Sequence, residues 1–219
     1  MFKNLFNSRL GQILTRLADL LLLQLAFLIT SLPVVTVGAG LTALYAVCRK
    51  LRDDSVSFVL PAYFAAFKEN FKIGTALWLS LAACAALLGF DLYFCRNNPA
   101  AWTDYLQVFV YIVCIGVYLL FLYSFAQAAW FENSFVQYLK NSVQLALSHP
   151  GLTLLLTAIH LLLLVLAEYA RPLVFLLGAS GCIYAKTLLL GKLFFPRQGG
   201  GEDEGDPEKT RERENNDAV

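Results

Sequence analysis

Residues 105–131, YLQVFVYIVCIGVYLLFLYSFAQAAWF, are apolar from end to end. At about 1.5 Å of rise per helical residue, roughly 20 such residues cross a hydrocarbon core of about 30 Å, so this stretch is long enough to span a membrane. Three more stretches of the same character occupy residues 73–95, 152–170 and 172–195, and a fifth, interrupted one occupies residues 17–37. In lipid an unpaired backbone group costs several kcal/mol, which leaves helices and closed barrels as the only spanning structures. The stretches are too long and continuous for barrel strands. The fold class expected is therefore all-α, a polytopic membrane bundle of four to five transmembrane helices with interfacial amphipathic helices between them.

Composition agrees. Hydrophobic residues make up 58% of the chain, against roughly 45–50% in soluble domains. The net charge of +1 conceals an asymmetry: residues 197–219 hold eight acidic and four basic side chains, leaving 13 basic against 8 acidic before them. The expected division is a single membrane-embedded domain over 1–196 and a disordered, charged cytoplasmic tail over 197–219. Contact with anionic lipid headgroups suits the basic part. Five cysteines, at 48, 84, 95, 114 and 182, have no metal-ligand spacing, and those in apolar stretches behave as small hydrophobes. His149 and His160 lie about 16 Å apart along a helix, too far to share an ion.

The first stretch needs separate treatment. A basic start, an apolar run and Val37-Gly38-Ala39 also fit a signal peptide, but the run from Leu17 to Val37 exceeds the 7–15 residues of such a core and encloses Asp19 and Gln24. Pro33 breaks a helix and disfavours helical backbone at Leu32, so segment 17–37 is expected to stop short or re-enter. Beyond it, Leu41, Leu44, Tyr45, Cys48 and Leu51 fall on one helix face, with Arg49, Lys50 and Arg52 at the end. This predicts an interfacial helix over 41–52. Similar spacings predict interfacial helices over 61–72 and 133–149. Phe64 to Asn70 can be laid on Phe135 to Asn141, each followed by two spans, which suggests a weak parallel duplication or, equally, the common needs of interfacial helices.

Lys and Arg decide orientation. The loop from Gly38 to Lys72 carries Arg49, Lys50, Arg52, Lys68 and Lys72; Lys140, Lys186, Lys192 and Arg197 are assigned to the same side, against Arg96 and Arg171 opposite. Loop 41–72 and the tail are therefore expected to be cytoplasmic. Lys3, Arg9 and Arg16 conflict with this if segment 17–37 crosses fully.

Polar groups inside a membrane are functional suspects. Asp19, Gln24 and His160 are the candidates here, since a helix that keeps them must turn them toward the bundle or water. Interhelical hydrogen bonding accounts for such residues without transport and is the favoured reading. Asp91, Glu168 and Lys186 are expected at interfaces, with Lys186 extending its stem toward the surface. No phosphate-binding loop, HExxH or GxSxG occurs. No enzymatic activity, cofactor, metal or nucleic-acid partner is expected.

The segment SLPVVTVGAGLTALY at 31–45, followed by FAAFKENF at 64–71 and the His149-Pro150-Gly151 entry to a span, resembles the YesL-like family of bacterial integral membrane proteins. The matching residues are Leu32, Pro33, Thr36, Gly38, Thr42, Ala43 and Tyr45. The resemblance covers nearly all of residues 1–195 and implies a domain of unknown function, often encoded near carbohydrate uptake and breakdown systems. It brings no catalytic residue. As irregular backbone at membrane depth, Pro33 to Gly40 suits a ligand or ion site beside Thr36, or a tight structural turn. Two functions are expected from this reading. One is an accessory or assembly protein of a carbohydrate uptake system in the bacterial cytoplasmic membrane, which shows Phe64, Phe67 and Tyr138 to permease subunits. The other is a small transporter or channel subunit with a polar path near Asp19, Gln24 and His160.

Overall fold

A computed structural model describes residues 9–98 and 101–194. The elements are α1 (Arg9–Thr30), a 3-10 turn (Val34–Thr36), α2 (Val37–Arg52), α3 (Val59–Glu69), α4 (Phe71–Asn97), α5 (Ala101–Trp130), α6 (Phe135–Ser148), α7 (Pro150–Tyr169) and α8 (Arg171–Phe194). No strand occurs among the described residues. The chain is a polytopic helical bundle. The tail expected over 197–219 lies outside the described residues.

Six helices among the described residues are long and apolar enough to cross a membrane: Gly11–Thr30, Val34–Arg52, Phe71–Asn97, Trp102–Trp130, Pro150–Tyr169 and Val174–Gly191. The outward face of α7 leaves Leu154, Leu161, Leu162, Leu164 and Val165 more than half exposed. An uncovered apolar face of this kind calls for lipid.

The sixth candidate is α2, and here the structure departs from the expected interfacial helix over 41–52. Thr36 and Val37 carry the chain from the 3-10 turn straight into α2, which packs against α3, α4, α5 and α8. It is the most enclosed of the six. The apolar stripe through Leu44, Cys48 and Leu51 is buried as expected, but Gly38, Ala39, Gly40, Thr42 and Ala43 are buried too. Small residues let neighbouring backbones approach, and a reading that looks only for large apolar side chains passes over them. The first segment also differs from its expected bounds of 17–37. Its helix begins by Arg9, ends at Thr30, and leaves Ser31 to Pro33 as the turn into the 3-10 element.

Short helices α3 and α6 each precede a pair of long ones, so the order of elements repeats. Asn70 separates α3 from α4, where the expected helix over 61–72 ran on. The Asn70 side chain donates to the Ala66 carbonyl at 2.9 Å, a local bond that competes with the helical ladder. Helix α6 covers Phe135–Ser148, and Pro150 opens α7 at its first turn, where its missing N–H is harmless.

One end of the bundle gathers several helix termini. Arg16 near the start of α1 reaches the Leu51 carbonyl at 2.5 Å and the Asp54 carboxylate just beyond α2. Arg49 Nη1 donates to the Trp130 carbonyl at 3.3 Å, and Trp130 Nε1 to the Tyr45 carbonyl at 3.3 Å, which ties the end of α5 to α2. Asp54 closes this corner with φ of 51°, a left-handed conformation that a short polar residue tolerates.

Candidate functional site

The motif residues are engaged within the protein. Leu32 and Pro33 are exposed at the turn. Thr36 Oγ1 lies 2.5 Å from the Thr30 carbonyl and 2.7 Å from that of Pro33, so its hydroxyl closes the end of α1 onto the start of α2. Thr42 Oγ1, fully buried, donates to the Gly38 carbonyl at 2.6 Å. Gly38 packs against Gly74 and Trp78 of α4 without room for a side chain. The hydroxyls of Thr36 and Thr42 are thus both bonded to backbone carbonyls of this segment or of the end of α1.

Asp19, Gln24 and His160 do not converge. Asp19 is half-buried on α1, one turn from Arg16. Gln24, 4% exposed, donates through Nε2 to the Phe175 carbonyl at 3.2 Å and accepts from the Ser180 N–H at 2.9 Å. Both ends of its amide therefore clamp α1 to the backbone of α8. His160 lies elsewhere, on α7, with Nδ1 at 3.3 Å from the Tyr118 hydroxyl of α5.

The partner of the other His160 nitrogen is Lys186 of α8, whose Nζ hydrogen-bonds Nε2. Lys186 is buried at 4% exposure. Its expected extension to the surface does not occur, because eight residues separate it from Phe194, about 12 Å along the helix, farther than a four-carbon stem reaches. That distance was readable from the expected stretch 172–195, which already ends nine positions beyond Lys186. With Lys186 as an ammonium, which only donates, His160 accepts at Nε2 and turns Nδ1 to Tyr118. The pair borders a cavity of about 200 Å³ where α2, α5, α7 and α8 meet, lined by Leu41, Tyr45, Phe121, Phe125 and Leu163 among others.

A second, larger concavity opens at the end where Arg49 meets Trp130. It measures about 1030 Å³ and draws its walls from the end of α2, from α3 and from the α5–α6 connection, including Arg49, Lys50, Glu69, Asn70, Glu132 and Gln137. Of the three aromatic residues expected to face a partner, Phe64 is exposed and Phe67 half-buried, stacked 6.3 Å from Tyr63. Tyr138 is buried: its hydroxyl donates to the Phe131 carbonyl at 2.8 Å and accepts from the Asn133 N–H at 2.9 Å. It lines the groove wall. Tyr63, outside the spans, bonds the Thr30 hydroxyl at 2.7 Å. Burial pushes the Tyr63 hydroxyl up to about 12, with that bond opposing the shift.

Among the described residues no group of three or more His, Cys, Asp or Glu side chains is placed to hold a metal ion. No curated protein and no solved structure matches the chain. A family model described as a protein of unknown function, DUF624, matches residues 19–92, about a third of the chain, from the middle of α1 through the Gly38–Gly74 crossing to the last third of α4.

Proposed function

We propose that the protein is an accessory or assembly factor of the bacterial cytoplasmic membrane, and that the end groove receives a polar loop of a partner membrane protein. The observation that carries this reading is the groove itself. It measures about 1030 Å³, and its walls combine both signs of charge with amide side chains, a surface suited to hydrogen-bonding a peptide segment. The resemblance to the YesL-like family makes permease subunits of a carbohydrate uptake system the first partners to test.

Orientation follows the positive-inside rule. Arg16, Arg49, Lys50, Arg52, Lys68 and Lys72 belong to the groove end or the helices that enter it, whereas Arg96 and Arg171 sit in the connections opposite. The groove end is thus cytoplasmic. Because α1 and α2 form a hairpin, Arg9 and Arg16 join the same side, and their conflict with the rule disappears.

Pull-down of the tagged full chain from native membranes in mild detergent tests the reading. Permease subunits should travel with it and be lost on Lys50→Glu or Gln137→Arg. Repeated recovery of the chain alone overturns it.

A second reading, a small transporter or channel subunit, is favoured by one observation, the buried contact between Lys186 and His160. It narrows the polar path to His160, since Gln24 is committed to the α8 backbone. Solute or proton flux in liposomes, lost on His160→Ala, is its expected result, and silence across a solute panel sinks it.

A further inference from the structure

Lys186 and Tyr45 present two buried donors to the same cavity. Each is 4% exposed, and both line the space of about 200 Å³ between α2, α5, α7 and α8. Lys186 comes from α8, and Tyr45 from the most enclosed helix. Among the described residues no carboxylate pairs with Lys186; its partners are His160 Nε2 and the Cys182 side chain one turn earlier. The Tyr45 hydroxyl has no hydrogen-bond partner among the described residues, and only its carbonyl is engaged, by Trp130.

A central charge in a membrane costs about 2.5–3.5 kcal/mol on insertion scales, and such charges normally pair with an opposite one. A neutral imidazole accepts one hydrogen bond from an ammonium but supplies no countercharge. The Tyr45 hydroxyl, with no partner of its own among the described residues, offers a second donor in the same place. One incoming group satisfies both needs, namely a carboxylate, which accepts from the ammonium and the phenol together.

The remaining walls define what carries that carboxylate. Leu41, Phe121, Phe125, Leu163, Ala179 and Ile183 are apolar. A cavity of about 150 Å³ lined by such residues holds benzene, so about 200 Å³ admits roughly six to ten heavy atoms. A sugar would need hydrogen-bond partners along its whole length, which these walls lack. A metal cation would meet the ammonium. Inorganic phosphate would leave the apolar walls unused.

We propose that this cavity binds a small monocarboxylic acid with an apolar body, aliphatic or aromatic, its carboxylate held by Lys186 and Tyr45. His160 positions the ammonium from the α7 side. The assignment is independent of partner docking at the end groove. It concerns occupancy and not transport, so an absence of flux in liposomes leaves it standing.

The test uses the full chain in a neutral maltoside detergent, with benzoate and hexanoate as probes and benzyl alcohol, hexanol and inorganic phosphate as comparisons, read by calorimetry and by melting temperature. Benzoate or hexanoate should bind saturably, at least tenfold more tightly than its alcohol. Lys186→Met should weaken the acid at least tenfold and leave the alcohol unchanged. Tyr45→Phe, which keeps the ring, should weaken the acid severalfold, and Ala179→Phe should block both by filling the space. Each variant is first checked for monodisperse elution and helical circular dichroism, and Tyr45→Phe and Ala179→Phe carry the test if Lys186→Met does not fold. Saturable binding of neither acid, full retention of acid binding in the folded variants, or phosphate binding as tight as benzoate would overturn the assignment.

Discussion

Gly38 of α2 and Gly74 of α4 meet backbone to backbone. A Cβ on Gly38 would overlap the Gly74 carbonyl oxygen and Trp78 Cβ, and one on Gly74 would stand 2.8 Å from Ala39 Cα and 2.9 Å from the Gly38 carbonyl oxygen. Without a hydrophobic drive between helices in lipid, close packing of this kind supplies much of the association. Gly38→Ala and Gly74→Ala should each lower stability by about 1–3 kcal/mol, the cost of forcing atoms into a filled contact. Gly116→Ala on α5, with nothing within 4 Å of the added carbon, should be neutral or stabilise by up to about 1 kcal/mol. Thermal melts in detergent compare the three, and equal effects would remove the special status of the crossing.

Thr36 tests the structural role of the motif. Its hydroxyl serves the Thr30 and Pro33 carbonyls, so Thr36→Val should cost about 1 kcal/mol and Thr36→Ser should restore it. The readout is again a melt, on protein free of added ligands. A variant that melts like the original would return the segment to the ligand-site reading.

Gln24 makes a sharper case because both ends of its amide are used. Gln24→Leu removes two bonds between α1 and α8, and interhelical bonds in membranes average about 0.6 kcal/mol with a maximum near 1.7, so a loss of about 1 kcal/mol is expected. Gln24→Glu should cost more, since an ionised carboxylate cannot donate to the Phe175 carbonyl and adds a buried charge. Denaturation in mixed micelles ranks the two, and a Glu variant as stable as the Leu variant would contradict the clamp.

The sequence announces the bundle because apolar length is a strong signal, and 105–131 could hardly be anything else. What it conceals is α2. Periodicity registers large apolar side chains, and α2 is buried partly through Gly38, Ala39, Gly40 and Thr42, whose burial is set by the opposing helix and not by their own chemistry. With α2 read as interfacial, five stretches were counted, against the six helices that are long and apolar enough to cross a membrane. Lys186 was misread for a related reason. Its environment depends on His160, twenty-six positions away, a contact that leaves no local trace. His160 itself stood out, since a histidine amid eleven leucines, isoleucines and valines over residues 152–166 marks a polar site in an apolar span.

The Arg16–Asp54 contact makes the topology testable. It holds the start of α1 beside the end of α2, so the two helices form a hairpin whose open end faces the groove. Six crossings then place Ser55, in the α2–α3 connection, and Asn97, at the end of α4, on opposite sides of the membrane. Both residues are exposed. In a background where Cys48, Cys84, Cys95, Cys114 and Cys182 are replaced, Ser55→Cys should react with an impermeant maleimide only from the cytoplasmic side and Asn97→Cys only from outside. Cys84 restored alone should resist the same reagent from both sides, because it is exposed on α4 where lipid covers the helix. Labelling of Ser55→Cys and Asn97→Cys from one side would reduce the crossings between them to an even number, and α4 could not then be a span.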